Sequence, residues 1–226
     1  CRYWARTAFY QSGGAYGFRD QLQDVMALVY SHPKITKAQI LNAASRQFPQ
    51  GDVQHWWHPP TGRGVRTRFS DDLLWLPFVV AHYLSVTQDL SILNEMISYI
   101  ETPELTEGHD ETYTQPWPSE QTGSLYEHCI RAIDRSLKLG EHGLPLFGSG
   151  DWNDGMNRVG HEGKGESVWM SWFLSLVLKN FIPYCDEGRK ITYQNHVQTL
   201  KENTEANAWD GEWYIRAYFD NGEKMG

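Results

Sequence analysis

The residues best placed to do chemistry lie in one stretch, Gly148-Ser149-Gly150-Asp151-Trp152-Asn153-Asp154-Gly155-Met156-Asn157. Two carboxylates three positions apart, an indole between them and glycines on both sides describe a tight polar loop, not a helix or strand. Such a loop can hold an acid beside a ring. Asp154 reads as a carboxyl able to protonate a glycosidic oxygen, and Trp152 as part of the wall a sugar lies against. Two other readings stand beside this one. A calcium loop of EF-hand type wants glycine sixth from Asp151, but that position is Met156. A purely structural Asx-turn would also account for the composition.

Further candidates sit where loops meet helices. After Gly13-Gly14, the apolar positions Phe18, Leu22, Val25, Met26 and Val29 have helical spacing up to His32-Pro33. Arg19 and Asp20 therefore fall in a first turn, where Asp20 could equally favour a helix N-terminus. Residues 52–72 read as a loop of about twenty residues, long enough to be functional. It carries His55, Trp56, Trp57, His58, Pro59 and Pro60, then Arg63, Arg66 and Arg68. The arginines beside tryptophans suit an anionic or polyhydroxyl ligand. His55 and His58 alone do not make a zinc set, and no His-Glu-x-x-His pattern exists. Ser70-Asp71-Asp72 precedes the apolar run 73–84, with Ser70 as a plausible N-cap, and leaves Asp72 for a ligand. Pro77 within that run suggests a kink.

The elements that must position these residues are mostly helical. Periodicity places helices near 18–32, 34–48, 73–84, 90–100, 119–140, 168–184 and 189–207, with an acidic linker or flap at 101–117. The segment 209–219 suits a helix-to-strand turn. Seven or eight helices alternating with aromatic-rich loops, with little strand signal, predict an all-α toroid of helical hairpins whose loops build a site at one end. A closed toroid of six hairpins needs about a dozen helices. The chain, read as a single domain over 1–226, is too short to close one, and its start at Cys1 without a Met suggests part of something longer.

Composition narrows the partners. A formal charge of −8 argues against nucleic acid, whose binding rests on Lys and Arg neutralising phosphates. The 10 Trp and 12 Tyr often stand beside His, Arg, Asp or Gly, as in a sugar-binding cleft, although a Trp-rich helical core would look similar. Cys1, Cys129 and Cys185 are odd in number and form no Cys-x-x-Cys pair, which predicts reduced thiols and a cytoplasmic setting. No run approaches the roughly 18 apolar residues of a membrane span, so no membrane contact is expected from this chain.

Several segments taken together resemble one family. They are Arg6-Thr7, Gly17-Phe18-Arg19-Asp20-Gln21-x-x-Asp24, His58-Pro59-x-x-Gly62-Arg63-Gly64, Ser70-Asp71-Asp72-Leu73-Leu74-Trp75, Gly150-Asp151-Trp152-Asn153-Asp154-Gly155 and Gly163-Lys164-Gly165-Glu166-Ser167-Val168-Trp169. In order and across nearly the whole chain, they resemble the inverting glycoside phosphorylases of glycoside hydrolase family 94. These include cellobiose and chitobiose phosphorylases and the phosphorylase region of cyclic β-1,2-glucan synthases, whose wording is nearest. The resemblance implies part of an (α/α)6 barrel, with Asp154 as general acid and inorganic phosphate as co-substrate and nucleophile. It implies sugar contacts at Arg6, Arg19, Asp20, Asp72 and Trp152, a β-gluco-oligosaccharide as partner, and no metal or organic cofactor. The glycine loop at 13–17 lacks an arginine that the cellobiose and chitobiose enzymes carry. The family's phosphate-binding segment and its N-terminal β-sandwich have no counterpart in the chain. A cyclic glucan synthase parent would place the chain at the cytoplasmic face of the inner membrane, in a larger multidomain protein. Two other functions stay open: an inverting hydrolase with Glu166 or Asp72 as base, and a non-catalytic carbohydrate binder.

Overall fold

The computed structural model describes residues 13–106 and 108–226, so Arg6 lies outside the described residues. The chain divides into two compact units, one of residues 1–67 and 75–134, the other of 68–74 and 135–226. Among the described residues, six α-helices carry most of the regular structure, which agrees with the helical expectation. The all-α reading is incomplete, because nine short strands among the described residues form three small sheets.

In the first unit, strand β1 (Tyr16–Gly17) leads directly into helix α1 (Phe18–Met26). Phe18, Leu22 and Val25 recur on one face and are fully buried, and this stripe seats the helix. Helix α2 (Pro33–Ala44) starts on Pro33, whose missing N–H is one of the four a first turn leaves unmade. It buries Ile40, Ala43 and Ala44. The long segment 52–72 is not a loop throughout. Strands β2 (Gln54–His58) and β3 (Arg63–Thr67) pair antiparallel, with His58 opposite Arg63 and Trp57 opposite Gly64. A Cβ on Gly64 would stand 2.1 Å from the Trp56 carbonyl oxygen, so the strands approach this closely only with glycine there. Arg66 does not reach outward for an anion. Its guanidinium is buried and holds Asp52 through two bonds of 2.7 and 2.9 Å, over the ring of Phe48 at 3.9 Å.

Helix α3 (Trp75–Thr87) follows, with Pro77 in its first turn, where no intrahelical bond is lost. The expected helix at 90–100 is a short 3₁₀ turn over Leu90–Asn94, then strand β4 (Met96–Glu101). The expected flap contains strand β5 (Glu111–Thr114), which pairs with β3 and completes a sheet in the order β1-β2-β3-β5. Strand β6 (Trp117–Ser124) pairs with β4. The helix expected from 119 therefore begins later, as α4 (Leu125–Ser136). A reciprocal cap marks its start: the Ser124 N–H donates to Glu127 Oε2 at 2.6 Å and the Glu127 N–H to Ser124 Oγ at 3.2 Å.

In the second unit, β7 (Glu166–Ser167) opens onto helix α5 (Val168–Phe181), and α6 (Glu187–Asn207) packs against it. Ser167 and Asp186 cap the two helices by accepting from the N–H groups of Met170 and Arg189. Strand β8 (Ala217–Tyr218) joins β7 to β9 (Lys224–Met225) in a three-stranded antiparallel sheet, consistent with a helix-to-strand turn near 209–219.

Candidate active site

The Asp151–Asp154 loop is built from its floor upward, entirely within the second unit. Its entry is stitched to residues 68–70. The Ser149 N–H donates to the Arg68 carbonyl at 3.3 Å, and the Ser70 N–H to the Gly150 carbonyl at 2.9 Å. The Ser70 hydroxyl donates to the Phe147 carbonyl at 3.0 Å, so its visible role is to hold this seam. Two glycines make the seam possible. Gly148 has φ +66°, and a Cβ there would lie 2.0 Å from the Arg68 carbonyl oxygen. A Cβ on Gly150 would meet the Phe69 ring at 2.6 Å.

Asp151 is the anchor. Its side chain is fully buried, and Arg216 Nη2 lies 2.7 and 2.6 Å from its two oxygens. The Ser167 hydroxyl donates to Asp151 Oδ2 at 2.7 Å while accepting from the Met170 N–H at 3.2 Å. One hydroxyl thus ties the first turn of α5 to the loop. A buried carboxylate needs such partners, because an unmet charge away from water is strongly destabilising. Above the anchor, two Asx-turns follow in succession. The Asn153 N–H donates to Asp151 Oδ1 at 3.0 Å, and the Gly155 N–H to Asn153 Oδ1 at 3.1 Å. The structural Asx-turn is therefore present, and its effect is to present residues 152–155 at the surface. Trp152 is 52% exposed and Asp154 is exposed as well. The two carboxylates are unlike: one is sunk in an ion pair and the other faces out.

Of the other candidate residues, Asp72 is buried at the start of a 3₁₀ turn over Asp72–Leu74, in the same unit as the acid loop. Arg19 and Asp20 belong to the first unit, in the first turn of α1, with Arg19 buried. Gly17 precedes them because a Cβ there would lie 2.3 Å from the Asp20 carboxylate. Around β2 the first unit also gathers aromatic side chains. The Trp56 ring lies 5.2 Å from His58 and 5.5 Å from Tyr113, His58 Nδ1 is 3.2 Å from the Tyr113 hydroxyl, and Arg63 sits over Tyr113 at 4.9 Å. Among the described residues no group of three His, Cys, Asp or Glu side chains is placed to hold a metal.

Glu166, a candidate base from sequence, has another occupation. It is buried, and its oxygens accept from the N–H groups of His142 and Leu144 at 3.0 to 3.2 Å and lie 2.5 Å from His142 Nδ1. Sequence reasoning missed Arg216 and His142. The only sign of Arg216 was a single charge in the otherwise apolar run Ile215-Arg216-Ala217-Tyr218, and an arginine set in such a run usually has a carboxylate partner. Nothing in the sequence near His142 announces Glu166, 24 positions away.

Known proteins resemble this chain to different degrees. A solved rhamnosidase from Klebsiella oxytoca with rhamnose bound matches 90% of this chain and 35% of its own, with a TM-score of 0.60 at 15% identity. At that identity the likeness concerns the fold alone. The cyclic beta-(1,2)-glucan synthase NdvB of Rhizobium meliloti (strain 1021) is 49% identical over 231 residues, covering 100% of this chain and 8% of that protein. Solabiose phosphorylase of Paenibacillus borealis is 35% identical over 216 residues, covering 93% of this chain and 25% of that protein. The chain spans a quarter or less of the length of these two relatives. The pattern of the glycosyl hydrolase 94 superfamily, catalytic domain, matches residues 1–226, which is the whole of the sequence with its Asp-Trp-Asn-Asp loop. The chain belongs to the glycosyl hydrolase 94 superfamily, as catalytic-domain sequence.

Proposed function

We propose that this chain forms part of an (α/α)6 barrel in an inverting glycoside phosphorylase, which moves a glucosyl unit from a β-linked gluco-oligosaccharide onto inorganic phosphate. The observation that carries the reading is the unequal pair in the loop: Asp151 is locked to Arg216, and Asp154 is presented outward beside the exposed face of Trp152. Asp154 gives its proton to the glycosidic oxygen as the bond from that oxygen to the anomeric carbon breaks. A phosphate oxygen attacks the same carbon from the opposite face, and the product is α-glucose 1-phosphate. Phosphate is already an anionic nucleophile, so one carboxyl group suffices where a hydrolase needs two. Trp152 offers a ring face to the sugar, while Arg6, Arg19, Asp20 and Asp72 are assigned to its hydroxyls. Asp154 and Trp152 are exposed, and bound sugar is what covers them in this reading.

The hydrolase reading loses one of its two bases, because the acceptor positions of Glu166 are already filled by two backbone N–H groups and His142. The test is release of glucose 1-phosphate from β-1,2-gluco-oligosaccharides, with cellobiose in parallel, comparing the protein with its Asp154→Asn variant. Release that requires phosphate and falls about 10²- to 10⁴-fold in the variant supports the assignment. Sugar release that ignores phosphate overturns the phosphorylase mechanism, and an Asp154→Asn variant of undiminished rate overturns the role of Asp154.

A further inference from the structure

Strand β7 has two faces. Ser167 turns toward Asp151 and the acid loop, so Glu166 beside it turns the other way. On the Glu166 side a cavity of about 270 Å³ opens between the turns at 138–142, 163–164 and 219–222, wholly within the second unit. We propose that this cavity is a second saccharide-binding site, sized for one hexose unit of a neutral oligosaccharide and separate from the acid loop.

Two carboxylates in its walls, Asp220 and Glu166, are already satisfied by hydrogen bonds. Asp220 accepts from the N–H groups of Glu162, Lys164 and Gly165 at 2.8 to 2.9 Å, and His161 Nδ1 lies 3.2 Å from it. Burial pushes the Asp220 carboxyl up, and those backbone bonds together outweigh it and hold the group below the usual carboxylate value. Glu166 is filled in the same manner, with His142 Nδ1 2.5 Å from one of its oxygens. The His142 ring is fixed by stacking on Tyr218, with centroids 3.6 Å apart and planes 8° from parallel. Lys138, Glu141 and Lys164 also line the cavity, and among the described residues their side chains make no hydrogen bond or ion pair.

The available heads are therefore two donors, the ammonium groups of Lys138 and Lys164, and one acceptor, the Glu141 carboxylate. Three carboxylates around two ammonium groups disfavour a phosphate dianion, and the two ammonium groups disfavour a cation. A neutral polyhydroxyl is the ligand that uses both kinds of head, since each hydroxyl donates and accepts. Phe219 and Leu146 supply apolar surface for the C–H face of the ring. The volume is about nine times a water's share of liquid and falls just below the range of drug-sized pockets, which suits one sugar ring and not a chain.

The experiment is a ligand-observed NMR titration of the protein with methyl β-glucoside, repeated with inorganic phosphate as competitor. The double variant K138A/E141A removes one donor and one acceptor at exposed positions, and its thermal melt checks that it folds. A tenfold or larger rise in Kd in this variant is expected, with the binding event retained in Trp152→Ala and undisturbed by phosphate. Lys164→Ala serves as a second variant, with a similar loss expected. Absence of binding, a Kd indifferent to both variants, loss of binding in Trp152→Ala, or displacement by phosphate would each overturn the proposal. Binding is read directly, so this outcome does not depend on whether phosphorolysis is detected.

Discussion

Removing the positive partner of Asp151 tests how the acid loop is held. In Arg216→Met the two short bonds to a fully buried carboxylate vanish, and of the named donors only the Ser167 hydroxyl and the Asn153 N–H remain. Breaking a buried ion pair from one side costs about 3–5 kcal/mol. The Arg216 head is 30% exposed, so part of its attraction is screened and the lower end, about 3 kcal/mol, is the expected loss. Asp151→Asn keeps the shape and the acceptor for Asn153 but removes the charge, and should cost about 2 kcal/mol. In the double variant neither charge is left unmet. Its loss should fall short of the sum of the single losses by at least about 1 kcal/mol. Urea unfolding followed by tryptophan fluorescence at pH 7 measures all three. Hydrogen exchange at the Asn153 and Met170 amides then reports whether the loss is local to the loop and the first turn of α5. A loss under about 1 kcal/mol in Arg216→Met, or a cycle additive within about 0.5 kcal/mol, would refute the claim that this pair is what fixes the loop.

Other outcomes follow from single side chains. His128 is buried, stacked on Tyr99 at 4.0 Å, and bonded through Nε2 to the Ile97 carbonyl at 3.2 Å. Burial, chiefly, pushes it down from 6.5 to about 4, so the folded chain keeps it neutral while the unfolded chain takes a proton. Its contribution is whole above pH 6.5 and is lost as pH falls toward 4, by about 1.4 kcal/mol per pH unit and up to about 3 kcal/mol. His196 is shifted in the same direction, so the measurement is the difference in slope between the wild type and His128→Gln in unfolding experiments from pH 7 to 4; equal slopes would contradict it. Gly148→Ala should lower stability by at least about 2 kcal/mol in a thermal melt, through its positive φ and its clash with the Arg68 carbonyl. Ser124→Ala should cost about 1 kcal/mol by removing the hydroxyl half of the cap of α4, the acceptor for the Glu127 N–H, measurable in the same melt.

What the sequence disclosed follows the range of the forces involved. Helices α5 and α6 were legible because their signals are local: an apolar run after Ser167, and a capping aspartate at 186. Strand β4 was misread as helix. Its pairing with β6 slips between Ser98 and Ile100, which breaks the alternation that betrays a strand. The β2–β3 hairpin had visible signs, aromatic residues before and Val65 and Thr67 after a Pro-Pro-Thr-Gly turn, but histidine and arginine among them gave it the look of a functional loop. Ser124 and Glu127, three residues apart, spelled out where α4 begins. In the acid loop the turn character was plain, and Asp154 stood out beside Trp152. The unequal fates of Asp151 and Asp154 were not readable, because they depend on Arg216, 65 positions along the chain.

The two Asx-turns divide the loop by parity. The side chains of Asp151 and Asn153 close its backbone, and neither turn is closed by Trp152 or Asp154. The odd positions thus specify a shape and the even positions an occupant. A library that randomises 152 and 154 while holding 151, 153, 148 and 150 should return mostly folded proteins. The same diversity placed one residue earlier would be spent on the scaffold. Under the proposed function, a redesign of which sugar is received would therefore act at 152 and leave the odd positions, which keep the loop's shape, unchanged.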